Sequence, residues 1–148
     1  SEVKVMFDNA HPPLRVVIVE DNDDSRMMFC ELLELSGFEC HSACTGPLGL
    51  DLINELRPDV ALIDVGLPGL DGLELARLLR RDARNVNMTL IALTGYGQRK
   101  DRKAASDAGF DTHLVKPVDV EALFNLLRAH AAKKQVRVEA GLDDTVPA

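Results

Sequence analysis

Apolar residues gather along the chain in five short runs, separated by longer stretches that carry a helical period. The strand-length runs are LRVVIV (14–19), FECHSA (38–43), VALID (60–64), MTLIALT (88–94) and THLV (112–115). The first, third and fourth are almost continuously apolar, as parallel strands covered on both faces must be. The second and fifth are weaker and suit the edges of a sheet. Between them, Met28, Leu32 and Leu35 recur at helical spacing ahead of Gly37, a position for a left-handed cap. A second helix is expected from about Pro47 to Leu56, with Thr45 as its cap. A third opens on Asp71, with Glu74 three residues later in a capping-box-like pair, and shows Leu75, Leu78 and Leu79 on one stripe. The last places Val120, Leu123, Leu127 and Ala131 on one side.

The fourth helical stretch differs. From Gln98 to Ala108 it offers the core only Ala104, Ala105 and Ala108 among many charges. Small side chains bury little area, so this helix is expected to be loosely held. Five alternating strand and helix units imply a parallel sheet with helices on both faces and right-handed crossovers.

Composition bounds this picture without changing it. The 148 residues suit one domain, expected over 14–132, between an N-terminal linker (1–13, ending in Pro12-Pro13) and a flexible C-terminal tail (133–148). No apolar run approaches the roughly 20 residues that span a bilayer. The expectation is a cytoplasmic protein without direct membrane contact. A net charge of -7 makes nucleic acid a poor partner, because polyanions seek basic patches. The run Arg99, Lys100, Arg102 and Lys103 reads as a solvated helix face. Three cysteines (Cys30, Cys40, Cys44) form no disulfide framework and read as buried, inert thiols. A strand through Cys40-His41 sends those two side chains to opposite faces, which argues against a zinc site.

In open parallel sheets, ligands bind beyond the carboxyl ends of the strands. The first strand runs into Glu20-Asp21, the third into Asp64, the fourth into Thr94-Gly95 and the fifth into Lys116-Pro117. Together these bring three carboxylates, a hydroxyl and an ammonium to one cleft. Each alone has a plainer explanation. Glu20 and Asp21 favour the following helix dipole, Asp23 and Asp24 read as caps, and Asp64 suits a turn. Their joint placement favours chemistry. Clustered carboxylates with oxygen-only ligation select Mg²⁺, which recruits phosphate, and a carboxylate is a competent nucleophile toward phosphorus.

Four segments then carry a family resemblance: VVIVEDNDDSR, ALIDVGLPGLDGLEL, IALTGYG and HLVKPVD, in that order. Over about residues 14–131 the chain resembles the receiver domains of bacterial response regulators. The segment AGFDTHLVKPVD is similar to receivers attached to hybrid sensor histidine kinases. The resemblance implies a flavodoxin-like (βα)5 three-layer sandwich with a five-stranded parallel sheet in the order 2-1-3-4-5. It implies Asp64 as phosphoacceptor and Mg²⁺ held by Glu20, Asp21, Asp64 and the backbone carbonyl of Gly66. Thr94 and Lys116 would contact the phosphoryl group, across a Lys116–Pro117 bond that is cis in such proteins. The implied switch pair is Thr94 and His113, the latter standing where receivers commonly carry Tyr or Phe. Tyr96 would partly cover the phosphoryl group. Implied partners are a histidine kinase or histidine phosphotransfer protein and a downstream protein target.

Two rival classes remain open from the sequence. A receiver-like docking module would not need the acidic pair, Asp64, Thr94 and Lys116 together. An enzyme such as an aspartyl-phosphate phosphatase or nucleotide-binding protein finds no support in motif. Position 66 is Gly rather than a second Asp, and neither G-x-x-x-x-G-K-[ST] nor G-x-G-x-x-G occurs. Gly66, Gly69 and Gly72 read as turn chemistry.

Overall fold

A computed structural model describes residues 12–95 and 99–141 of the chain. Its elements alternate as β1 (Arg15–Val19), α1 (Asp23–Leu35), β2 (Glu39–Ala43), α2 (Gly46–Leu56), β3 (Val60–Asp64) and α3 (Gly72–Arg81). A 3-10 turn (Ala83–Asn85) then leads to β4 (Thr89–Thr94), α4 (Arg99–Ala108), β5 (Thr112–Val115) and α5 (Val120–Glu139). The sheet is wholly parallel, in the order β2-β1-β3-β4-β5. This is the flavodoxin-like (βα)5 sandwich.

The sheet's two faces follow from strand alternation. Val17, Val19, Ala61, Ile63, Leu90 and Ala92 face α2, α3 and α4, packing on Ile53, Leu75, Leu79 and the small Ala105 and Ala108. Val16, Ile18, Val60, Leu62, Ile91 and Leu93 face α1 and α5 and meet Leu33, Leu123 and Leu127. Every residue of β3 is buried, which is why its sequence is continuously apolar up to Asp64. The weaker runs β2 and β5 are the edges.

Caps fix where the helices begin. The Thr45, Asp71 and Asp119 side chains accept from backbone N–H groups at the starts of α2, α3 and α5. At α1 the cap is Asn22, which accepts from the N–H of Ser25 at 2.9 Å, rather than Asp23 or Asp24. Those two occupy the first turn, and Asp23 pairs with Arg26. Gly37 takes a φ of 94° just past α1, as its position requires.

Two expectations are corrected. Met28 and Leu35 do not face the core and are 48% and 80% exposed. The buried side of α1 is carried instead by Leu33, with Phe29 and Cys30 packed beside it. One residue advances a helix by about 100°, so the two stripes share a period but differ in phase. The C-terminal tail does not begin at 133: α5 continues to Glu139. Residues 133–139 lack an apolar stripe, yet Lys, Gln, Arg and Glu are good helix formers and need none to prolong an anchored helix. The linker residues 1–11, Tyr96, Gln98 and the tail from 142 lie outside the described residues.

Cys40 is buried in the core, where desolvation pushes its thiol pKa up, while Cys30 and Cys44 are half-buried. His41, on the opposite face of β2, pairs with Glu39 at 2.8 Å. Among the described residues, no helix is long and apolar enough to cross a membrane.

Candidate functional site

The carboxyl ends of the strands bring Glu20, Asp64 and Lys116 into direct contact. Parallel pairing of β1 with β3 sets Val19 beside Ile63, so Glu20 and Asp64 leave the sheet side by side. Pairing of β4 with β5 sets Thr94 beside Val115, and the N–H of Lys116 donates to the Thr94 carbonyl at 2.7 Å. The chain then turns through a cis Lys116–Pro117 bond. From there the Lys116 ammonium bridges the two acids, donating to Glu20 Oε1 at 2.8 Å and to Asp64 Oδ2 at 2.9 Å.

The second oxygen of Asp64, Oδ1, accepts the N–H of Gly66 at 2.9 Å. Asp64 and Glu20 are 7% and 4% exposed, so these are buried acids. Asp21 is exposed beside them. One carboxylate oxygen from each of Glu20, Asp21 and Asp64 can lie within 4.8 Å of the others, and among the described residues this is the group able to hold a metal. An all-oxygen donor set suits a hard divalent cation.

Burial and neighbours act differently on the two acids. For Glu20, desolvation and the adjacent Asp64 carboxylate outweigh Lys116 and raise its pKa. For Asp64, desolvation opposes ionisation, but bonds from Glu20, Lys116 and the Gly66 N–H outweigh it and lower the pKa. Lys116 loses some basicity to desolvation and gains more from the two acids, so its pKa is raised. The cluster therefore favours the ionised form of Asp64.

Thr94 closes β4. Its hydroxyl is buried and has no hydrogen-bond partner among the described residues. A buried hydroxyl without a partner costs about 1–3 kcal/mol. Thr94→Val keeps the shape and removes that cost, so chemical denaturation of the isolated chain should show a gain of about 1 kcal/mol. A loss of comparable size would mean that the hydroxyl is bonded in solution.

Of the residues singled out by sequence, Glu20, Asp21, Asp64, Thr94 and Lys116 converge at this edge. Gly66 reaches Asp64 through its N–H. His113 is half-buried in β5, in register with Ala92 of β4 and two positions before Val115, the partner of Thr94. Two contributors were missed. Gly72 packs against the backbone of Asp64 and Val65: a Cβ there would collide with the Asp64 carbonyl oxygen and stand 2.7 Å from Val65 Cα. Arg26 donates to the Glu20 carbonyl at 2.9 Å and so braces the first strand end. The spacing of Gly66, Gly69 and Gly72 hinted at the first, and nothing in the sequence marked the second.

Fold and site together define a doubly wound α/β domain with an acid–lysine cluster at the carboxyl ends of its strands. Comparison with known proteins makes this specific: the model of the response regulator receiver domain family matches residues 16–128, and the chain belongs to that family. It is a receiver domain of two-component signalling. Among its relatives, the polar-differentiation response regulator DivK of Brucella anthropi is 32% identical over 118 residues, covering 80% of this chain and 96% of that protein. The DNA-binding dual master transcriptional regulator RpaA of Synechocystis sp. is 34% identical over 115 residues, or 78% of this chain. The chain spans about half (48%) of that regulator's length. The solved receiver domain of a Francisella response regulator superposes with a TM-score of 0.74 at 26% identity, covering 80% of this chain and 97% of that one.

Proposed function

We propose that Asp64 is the phosphoacceptor, taking its phosphoryl group from a phosphohistidine of a histidine kinase or histidine phosphotransfer protein. A carboxylate oxygen of Asp64 attacks phosphorus and forms the O–P bond. The N–P bond breaks, and the imidazole of the donor recovers the electron pair. Lys116 leaves its bridge to hold a phosphoryl oxygen, and the Thr94 hydroxyl donates to another. Glu20, Asp21, Asp64 and the Gly66 carbonyl would hold Mg²⁺, whose charge, when bound, offsets the negative charge gathering on the phosphoryl oxygens. The all-oxygen cluster and the Thr94 hydroxyl, without a partner among the described residues, both fit that arrangement. The observation that carries the reading is the direct contact of Lys116 with both Glu20 and Asp64 at the strand ends.

Phosphorylation replaces the single negative charge of the Asp64 carboxylate with the roughly -1.5 to -2 of a phosphoryl group, carried on three oxygens farther from the strand. Drawing Thr94 and Lys116 inward would shift β5 and the weakly buried α4, with His113 in the position of the switch residue. That would alter the surface offered to a downstream protein. A hybrid histidine kinase as the parent protein is supported by the AGFDTHLVKPVD segment. Beryllofluoride with Mg²⁺ tests the switch through amide exchange. The expected result is changed protection within 99–115 that requires both components. Unchanged exchange there, with the mimic demonstrably bound, would refute the shift.

A further inference from the structure

The helix α4 is held to the domain unevenly along its length. Its buried residues, Ala105 and Ala108, both lie in the C-terminal half, and Phe110 just beyond them is buried in the same cluster. The helix closes there as α1 closes at Phe38. The Phe110 N–H donates to the Ala105 carbonyl at 3.1 Å, and the Gly109 N–H to the Ser106 carbonyl at 3.0 Å. In the other half, Arg99, Lys100, Arg102 and Lys103 are exposed, and Asp101 and Ala104 are half-buried. Buried apolar area, and the grip it gives, is therefore concentrated at one end.

A single side chain of α3 reinforces that end. Arg80, the penultimate residue of α3, donates from Nε to the Gly109 carbonyl at 2.9 Å. One terminal nitrogen donates to the carbonyls of Asn85 and Met88, and the other to Asp111 Oδ2, each at 2.8 Å. All but one of the guanidinium N–H groups are thus committed, in the fixed planar fork of that group. The acceptors lie in the turn after α3, the approach to β4, the end of α4 and the approach to β5. Asp111 extends the tie into β4: its Oδ2 also accepts the Leu90 N–H, and its own N–H donates to the Leu90 carbonyl, each at 2.8 Å. Gly109 is shaped to the same contact. It takes a φ of 113°, and a Cβ there would stand 2.5 Å from Arg80 Cγ, so the arginine stem occupies the space of the missing side chain.

We propose that Arg80 is a pin and that α4 is a lever hinged on it: residues 108–111 stay fixed to α3 and β4 while the end at Arg99 swings. The swinging end lies at the carboxyl edge of the sheet, where Thr94 closes β4, and the fixed end lies at the opposite edge, where β5 begins. A displacement at the carboxyl edge then re-aims the outer face of α4 without loosening the start of β5. The hinge belongs to the unphosphorylated chain and stands whether or not Asp64 accepts a phosphoryl group.

The test is backbone NMR on the full chain and on Arg80→Gln, without Mg²⁺ or phosphoryl donor. In the unaltered chain, relaxation dispersion should show microsecond-to-millisecond exchange at 99–104 and none at 109–112. In Arg80→Gln that exchange should extend through 112. The amide protons of Gly109, Phe110 and Asp111 should also exchange with solvent at least about tenfold faster in the variant, the loss expected for charge-assisted hydrogen bonds. The Phe38 amide, which closes α1 on the Leu33 carbonyl at 3.0 Å, is the matched control and should keep its rate. Arg80→Lys keeps the stem and the charge but not the planar fork. It should show the same loss in smaller measure, and it decides the matter where Arg80→Gln does not fold. Dispersion of equal size at both ends of α4 in the unaltered chain, dispersion at neither end, unchanged rates at 109–111 in the variants, or equal acceleration at Phe38 would each overturn the proposal.

Discussion

Lys116→Met should slow phosphoryl acceptance from acetyl phosphate by about 100- to 1,000-fold while tightening Mg²⁺ binding. The two effects have one cause. The ammonium lies 2.8 Å from Glu20 and 2.9 Å from Asp64, so any cation placed between those acids must compete with it. Methionine removes the competitor and leaves the carboxylates facing each other, an arrangement that a divalent cation relieves. On the mechanism proposed above, the reaction loses the group that meets the incoming phosphoryl oxygen, and removal of one such electrostatic contact typically costs 10²–10³ in rate. Time courses by intact mass and Mg²⁺ titrations would measure both. Slower acceptance with weaker Mg²⁺ binding would instead mean that Lys116 chiefly holds the acids in place.

Gly72→Ala should be the most destabilising single-methyl change near the site, costing about 3 kcal/mol. The first turn of α3 runs directly against the peptide that follows Asp64, and its Gly72 N–H donates to the Val65 carbonyl at 3.2 Å. A Cβ at 72 would meet backbone on three atoms, none able to rotate away: the Asp64 carbonyl oxygen, Asp64 C at 2.9 Å and Val65 Cα at 2.7 Å. Either α3 moves out or the end of β3 moves in, and both disturb Asp64. The thermal midpoint should fall by about 10 °C. Gly95→Ala is the matched control, since a Cβ there has nothing among the described residues within 4 Å. Equal melting temperatures for the two variants would contradict the packing argument.

Much of this was readable before any coordinates, for physical reasons. The buried strands β1, β3 and β4 read as continuous apolar runs because helices cover both faces, and strand ends are where a doubly wound sheet places polar groups. Glu20, Asp64 and Thr94 follow or close such strands and Lys116 follows the weaker edge strand β5, so finding the strands found the site. Helix phase was less accessible. Met28, Leu32 and Leu35 match a helical period as well as Phe29, Cys30 and Leu33 do. Only packing against Phe38, Cys40 and Phe124 selects the second set. The extent of α5 was hidden because a helix already anchored by Leu123 and Leu127 continues on propensity alone. The close approach of Gly72 and the brace from Arg26 are tertiary contacts that local pattern does not encode.

The central claim is that Asp64 accepts a phosphoryl group in an Mg²⁺-dependent step. Intact mass after incubation with acetyl phosphate, with and without Mg²⁺ and beside an Asp64→Asn variant, tests it most directly. The account predicts a single phosphoryl adduct on the unaltered chain with Mg²⁺, and none on the variant or in chelator. An adduct of equal yield on Asp64→Asn, or no adduct on a folded chain under conditions that phosphorylate a control receiver, would contradict it.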